Sequence, residues 1–137
     1  MATVVDLLMG MDLGTIEKVP SGEMEIKRLS KIAGTPFIVQ YQAISGRDYS
    51  RIASLIADKN GNTDVSRGFD ANLMICVKGI IAPDLNDEKL KKKFGAPTPK
   101  DLTEKLFTFG EVSALASAIG KLSGLNNDGE TDDEIKN

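Results

Sequence analysis

An α+β domain, mostly helical, is what this sequence predicts, on three observations. Residues 36–44, PFIVQYQAI, alternate apolar side chains across two faces and follow a Gly-Thr-Pro turn, which is the pattern of a strand in a hairpin. From Ser45 the apolar period changes from 2 to 3.6 and stays helical, through about five segments, to Ser123-Gly124. After Leu125 the chain turns polar and acidic, the composition of a disordered tail. With 137 residues, one domain is expected. It would span 1–125 as an N-terminal helix and linker at 1–22, a β-hairpin at 23–44 and a helical part at 45–125. An acidic flexible tail at 126–137 would follow.

The elements follow in chain order. Thr3 is placed to cap a short helix carrying Val4, Val5, Leu7 and Leu8, too short to persist unless it docks on something. Residues 10–22 contain Gly10, Gly14, Pro20 and Gly22 and read as a linker. The first strand of the hairpin is expected where Met24, Ile26 and Arg28 alternate with Glu25 and Lys27. The turn is expected at Ala33-Gly34-Thr35-Pro36. Two strands alone are not stable in water, so helices must cover one face.

Ser45 and Asp48 have the spacing of a helix cap, and Tyr49, Ile52, Ala53 and Ile56 make an apolar stripe that ends at Asp58-Lys59-Asn60-Gly61-Asn62. A loop is expected at 62–68. The segment 69–81 is apolar nearly all round between Leu73 and Val77, as in the buried central helix of a domain, and Pro83 should stop it. Asn86 or Asp87 can cap a short helix over 88–94, closed by Gly95. Thr98-Pro99-Lys100-Asp101 opens another, with Leu102 and Leu106 on one face. Phe107 and Phe109 lead into a last helix with Val112, Leu115, Ala116, Ile119 and Leu122 on one side.

Composition excludes several chemistries. Histidine and tryptophan are absent and there is one cysteine. No Ser-His-Asp or Cys-His machinery, no His-ligated metal site and no intrachain disulfide can be built. Residues 126–137 hold five acids against one lysine, a net of −4. The whole chain carries −3, so the remainder is +1. A near-neutral body with an acidic end is not the profile of a nucleic-acid binder. The basic residues Lys89, Lys91, Lys92 and Lys93 read as the solvated face of a short helix. The opening MATVVDLLMG lacks a basic region and carries Asp6 within its apolar stretch, which argues against a signal peptide. The apolar run 73–77 is too short to span a bilayer.

The glycines lack phosphate-loop spacing. Asp58 opens a stretch faintly like a calcium loop, but the third position is Asn60 and the twelfth is Phe69. Asp84, Asp87 and Glu88 are placed as caps and dipole partners. Met74 and Cys76 read as core filling, as do Phe37 and Tyr41. No catalytic, cofactor or metal residue is expected, and the chain reads as a soluble interaction domain.

The ordered set Pro83-Asp84-Leu85, Leu90 with Lys92-Phe94-Gly95, Thr98-Pro99, Leu106-Phe107 with Gly110-Glu111, then Leu115, Ile119 and Leu122-Ser123-Gly124, closely resembles the XkdN-like tail assembly chaperones of contractile-tailed phages and prophages of Gram-positive bacteria. The MATVVDLLM opening, the FIVQYQAIS stretch and the Asp133-Glu134-Ile135-Lys136-Asn137 close are similar too.

The resemblance implies a non-enzymatic helper that binds the tape measure protein, keeps it soluble and helps recruit tail tube subunits. It would act in the host bacterial cytoplasm and be missing from the mature virion. A frameshifted longer form of the chain would be a further partner, and clamping a long helix favours a homo-oligomer. The rival expectation is a minor structural component of the tail or of the head-tail connector. The partner-binding surface expected here is the last helix with its entry, Phe107, Phe109, Val112, Leu115 and Ile119, the alternative being that these residues fill the core. The tail acids Asp132, Asp133 and Glu134 would add solubility or a second contact.

Overall fold

The structure, a computed structural model, describes residues 3–55 and 65–124, without the side chains of 65–67. The expected acidic tail, the helix end at 58–62 with Ile56, and the calcium-like stretch lie outside the described residues. The fold is α+β, with eight helices and a three-stranded antiparallel sheet among those residues. Strand β1 (Ser21–Glu25) pairs with β2 (Ile38–Gln42), and β2 pairs with β3 (Ile80–Ala82). The helices are α1 (Val4–Met9), α2 (Leu13–Ile16), α3 (Lys27–Ala33), α4 (Gly46–Ala53), α5 (Val65–Gly79), α6 (Glu88–Lys93), α7 (Pro99–Leu106) and α8 (Phe109–Leu122).

The hairpin differs from its expected form. β1 starts three residues earlier than the expected alternation and stops at Glu25, and a seven-residue helix, α3, stands where strand and turn were expected. Ile26 and Leu29 lie three apart, so the same residues satisfy a helical stripe as well as a strand. Tertiary contacts choose the helix. Ile26 is buried at its entrance, its amide donating to the Phe37 carbonyl at 2.9 Å. The Ser30 hydroxyl accepts from the Phe37 amide at 2.8 Å and donates to the Glu25 carboxylate at 2.7 Å, joining the two ends of the insertion. Gly34 closes the helix at φ 76°, a left-handed conformation in which a Cβ would strain the backbone. The expected linker also holds structure: α2, and the first two residues of β1.

The central helix ends before Pro83. α5 stops at Gly79, and Ile80–Ala82 form β3, which pairs Ile80 with Tyr41 and Ala82 with Gln40. Two β-branched residues favour extended backbone here, and the tight approach of α5 to α8 at Gly79 delivers them to the sheet. A Cβ on Gly79 would lie 2.6–2.9 Å from three side-chain atoms of Ile119. α5 packs on α8, α7 and α4, and α8 packs on β1 and β2. Leu73 and Cys76 of α5, Leu102 of α7, and Val112, Leu115 and Ile119 of α8 form the centre of the core with Val39 of β2, all fully buried. The one buried polar residue among those described, Thr103, donates its hydroxyl to the Pro99 carbonyl at 2.8 Å.

Caps stand where the sequence places them. Thr3 and Asp6 exchange hydrogen bonds at α1, and Ser45 accepts from the Asp48 amide at α4. Asp87, rather than Asn86, caps α6 through the Leu90 amide, and Thr98 caps α7 ahead of Pro99. A further capping box at α8 pairs Thr108 with Glu111. Glu111 is also held by Arg28 of α3. The guanidinium Nε donates to Oε2 at 3.0 Å and Nη2 to Oε1 at 2.9 Å, and Nη2 also donates to the Leu106 carbonyl at 2.8 Å. Arg28, expected on a strand, instead ties α3 to the α7–α8 corner.

Two expected outcomes follow. Gly79→Ala should destabilise the fold by about 1–3 kcal/mol in urea unfolding, because buried Ile119 has nowhere to move. Arg28→Ala should lower the melting temperature at neutral pH. Its bidentate hydrogen bonds hold the Glu111 carboxyl below its ordinary range. A carboxylate whose folded pKa is depressed contributes stability that is present above the unfolded pKa and lost as pH falls through the folded one. The gap between wild type and variant should therefore close on the acid side of the glutamate range, read from melting curves across pH.

Candidate functional site

Reactive side chains in the described structure are occupied by structural work. Cys76 is fully buried, its sulfur 3.7 Å from the Val112 carbonyl oxygen, and burial pushes its thiol up to about 12. Such a thiol is not a nucleophile near neutral pH. Asp84 accepts from the Asn86 amide at 3.0 Å, Asp87 caps α6, and Glu88 pairs with Lys91 at 3.0 Å. Among the described residues no group of three or more His, Cys, Asp or Glu is placed to hold a metal ion. No helix among them is long and apolar enough to cross a membrane.

The partner surface expected on the last helix is mostly core. Phe107, Val112, Leu115 and Ile119 are buried, spent against α5 and the sheet. Their stripe was correctly placed on a helix, but its partner is internal. Phe109 alone of the five is on the surface, 67% exposed, at the first position of α8. Its ring stacks on Phe69 of α5, centroids 5.4 Å apart and planes at 26°. Asp132, Asp133 and Glu134 lie outside the described residues.

Phe109 is one of the residues lining an open groove of about 480 Å³ between α4, α5 and α8. Tyr49, Ile52 and Ala53 line it from α4, and Phe69 and Ile75 from α5. The helical stripe of α4 was legible in the sequence. That α5 and α8 would cover only part of it was not. Tyr49 is half-buried over α8, where Gly120 leaves room for it: a Cβ there would stand 2.7 Å from the Tyr49 hydroxyl oxygen. Desolvation raises the Tyr49 pKa above its ordinary value. The volume suits several apolar side chains of a docked helix, and no titratable group lies on the groove wall apart from Tyr49.

The second surface is the N-terminal segment. α1 and α2 bury no residue. Nine large apolar side chains between Val4 and Val19 are exposed, from 50% at Val19 to 81% at Met9. Val4, Leu7 and Leu8 share one side of α1, with Asp6 opposite and engaged as the cap partner of Thr3. The sequence signalled that this helix must dock on something; the missed half was that the chain's own core does not supply the surface.

Among solved structures, the chain is similar to the crystal structure of the protein yqbn, 18% identical. It aligns over 85% of this chain and 98% of that one with a TM-score of 0.54, a similarity of fold. No curated protein matches the chain. A family model for the phage XkdN-like tail assembly chaperone protein matches residues 5–136. A match over nearly the whole chain places this protein in the XkdN-like family of phage tail assembly chaperones.

Proposed function

We propose that this chaperone binds the tape measure protein during tail assembly, keeps it soluble and helps recruit tail tube subunits. The observation that carries the reading is the apolar groove between α4, α5 and α8, with the exposed Phe109 in its wall. A tape measure protein is largely a long amphipathic helix, which aggregates until its apolar stripe is covered. A groove walled by rigid helices and nearly free of charge is suited to the i, i+3, i+4, i+7 side chains of such a helix. The work is done by binding rather than by catalysis, in the host cytoplasm, and the chaperone leaves before the virion is complete. Asp132, Asp133 and Glu134 would supply a second contact, to tube protein, and a frameshifted longer form would present the same groove with an added domain.

The test is co-expression of the neighbouring tape measure protein with and without this chain, reading its soluble fraction and its co-purification. The chaperone should raise the soluble fraction severalfold and co-purify; the absence of both effects would sink the proposal. Phe109→Asp should abolish most of the gain while costing the chaperone no more than about 0.5–1.5 kcal/mol in urea unfolding, the worth of the lost stack on Phe69. Mass spectrometry of purified particles should find no copy of the chain, whereas a minor structural component would be present.

A further inference from the structure

We propose that the lysine face of α6 is a docking site for the chain's own acidic segment, residues 126–137. Lys89, Lys92 and Lys93 recur at i, i+3 and i+4, so they share one side of α6, and all three are exposed. Among the described residues none of them pairs with an acid. The fourth cation of the helix, Lys91, is already held by the side chains of Glu88 and Asn86. Phe94 adjoins the face: 39% of its surface is open, and the Lys93 ammonium lies 5.7 Å from its ring centroid. Three such cations beside an open ring suit a partner rich in acid with an apolar side chain close by.

Residues 126–137 have that composition. Asp128, Glu130, Asp132, Asp133 and Glu134 stand against Lys136 alone, and Ile135 is their one large apolar residue. The run Asp133-Glu134-Ile135 answers Lys92-Lys93-Phe94 in sign and in its apolar end. The described body ends at Gly124, and the thirteen residues after it, at about 3.3 Å each, span roughly 43 Å when extended. A body of this size has a radius of gyration of about 13 Å, so the acids reach any face of it. Other cations are less available. Arg28 is spent on Glu111 and Lys100 on Asp70, which leaves α3 only Lys27 and Lys31, and α4 sets Arg47 and Arg51 beside Asp48. A single exposed ion pair is weak. Several pairs acting together under a tether, at an effective concentration on the order of millimolar, make a contact within one chain that salt weakens. The docked acids are withheld from other partners until a more basic surface displaces α6. This contact belongs to the free chain and stands apart from any that the segment makes during assembly.

The experiment uses the full chain with Thr131→Cys, spin-labelled amid the acids; buried Cys76 does not take the label. Away from the tether at Gly124, paramagnetic broadening of backbone amide signals should concentrate on α6 and its end, residues 88–94. It should fall severalfold in about 0.5 M sodium chloride, where a charge reaches only a few ångström. Lys89→Glu, Lys92→Glu and Lys93→Glu combined should remove it. Asp132→Asn, Asp133→Asn and Glu134→Gln combined, which change no residue of the body, should weaken it severalfold. Broadening centred on α3 or α4 would overturn the proposal, as would broadening spread evenly over the surface or unchanged by either set of substitutions. So would equal broadening of unlabelled chains mixed with labelled ones, which would place the segment on a second copy.

Discussion

The contact between α5 and α8 is the constraint on which the rest of this structure depends. It is set by Gly79, where the absence of a side chain lets the end of α5 close on Ile119. Along the same contact Cys76 meets the Val112 carbonyl, and Leu73 and Leu115 are sealed from water. Three consequences follow. The apolar stripe of α8 is consumed internally. The chain leaving α5 is delivered at Ile80 to the free edge of β2, so a third strand forms without any loop. α4 packs on α5 but leaves Tyr49 and Ala53 incompletely covered, and the groove is what remains.

The sheet is fastened to this helical centre at two places far apart in sequence. At one end Arg28 grips Glu111 and the Leu106 carbonyl, so a single guanidinium satisfies the carboxylate that also caps α8 and a carbonyl at the end of α7. At the other, the Ile44 amide donates to the Ser123 hydroxyl at 2.9 Å, where that hydroxyl also donates to the Ile119 carbonyl. The two ends of α8 are thus each tied to the β1–β2 unit by polar contacts, and its middle by apolar ones. Arg28 is substantially exposed, so its value is orientation more than energy.

Local chemistry explains which parts of this fold were readable. Thr3, Ser45 and Thr98 announce helix starts because a cap is a contact within four residues. The burial of 73–76 is readable from composition alone. What escapes is decided at long range. α3 and a strand compete for the same residues, and Phe37 and Glu111 settle the outcome from outside the segment. β3 has three residues, too few for any period. Phe107 and Phe109 are two apart on the chain with the same side chain, yet one is core and the other surface. The turn into α8 decides between them, and nothing in their identity does. The docking surface was expected on the stripe with the cleanest periodicity, and clean periodicity marks the helix best matched to its own core.

That last point separates core from interface in a small helical protein. An interface intended to open and close must be apolar enough to bind and must not be required for folding. Val112, Leu115 and Ile119 fail the second condition, because exposing them would dismantle the α5–α8 contact. Val4, Leu7 and Leu8 meet both conditions, since the body is complete without them. The groove meets both as well: Ile52 and Ile75 in its wall are buried already, while Phe109, Tyr49, Ala53 and Phe69 keep surface open to cover. An apolar surface of this kind can be covered or bared without disturbing the core, which a buried stripe cannot.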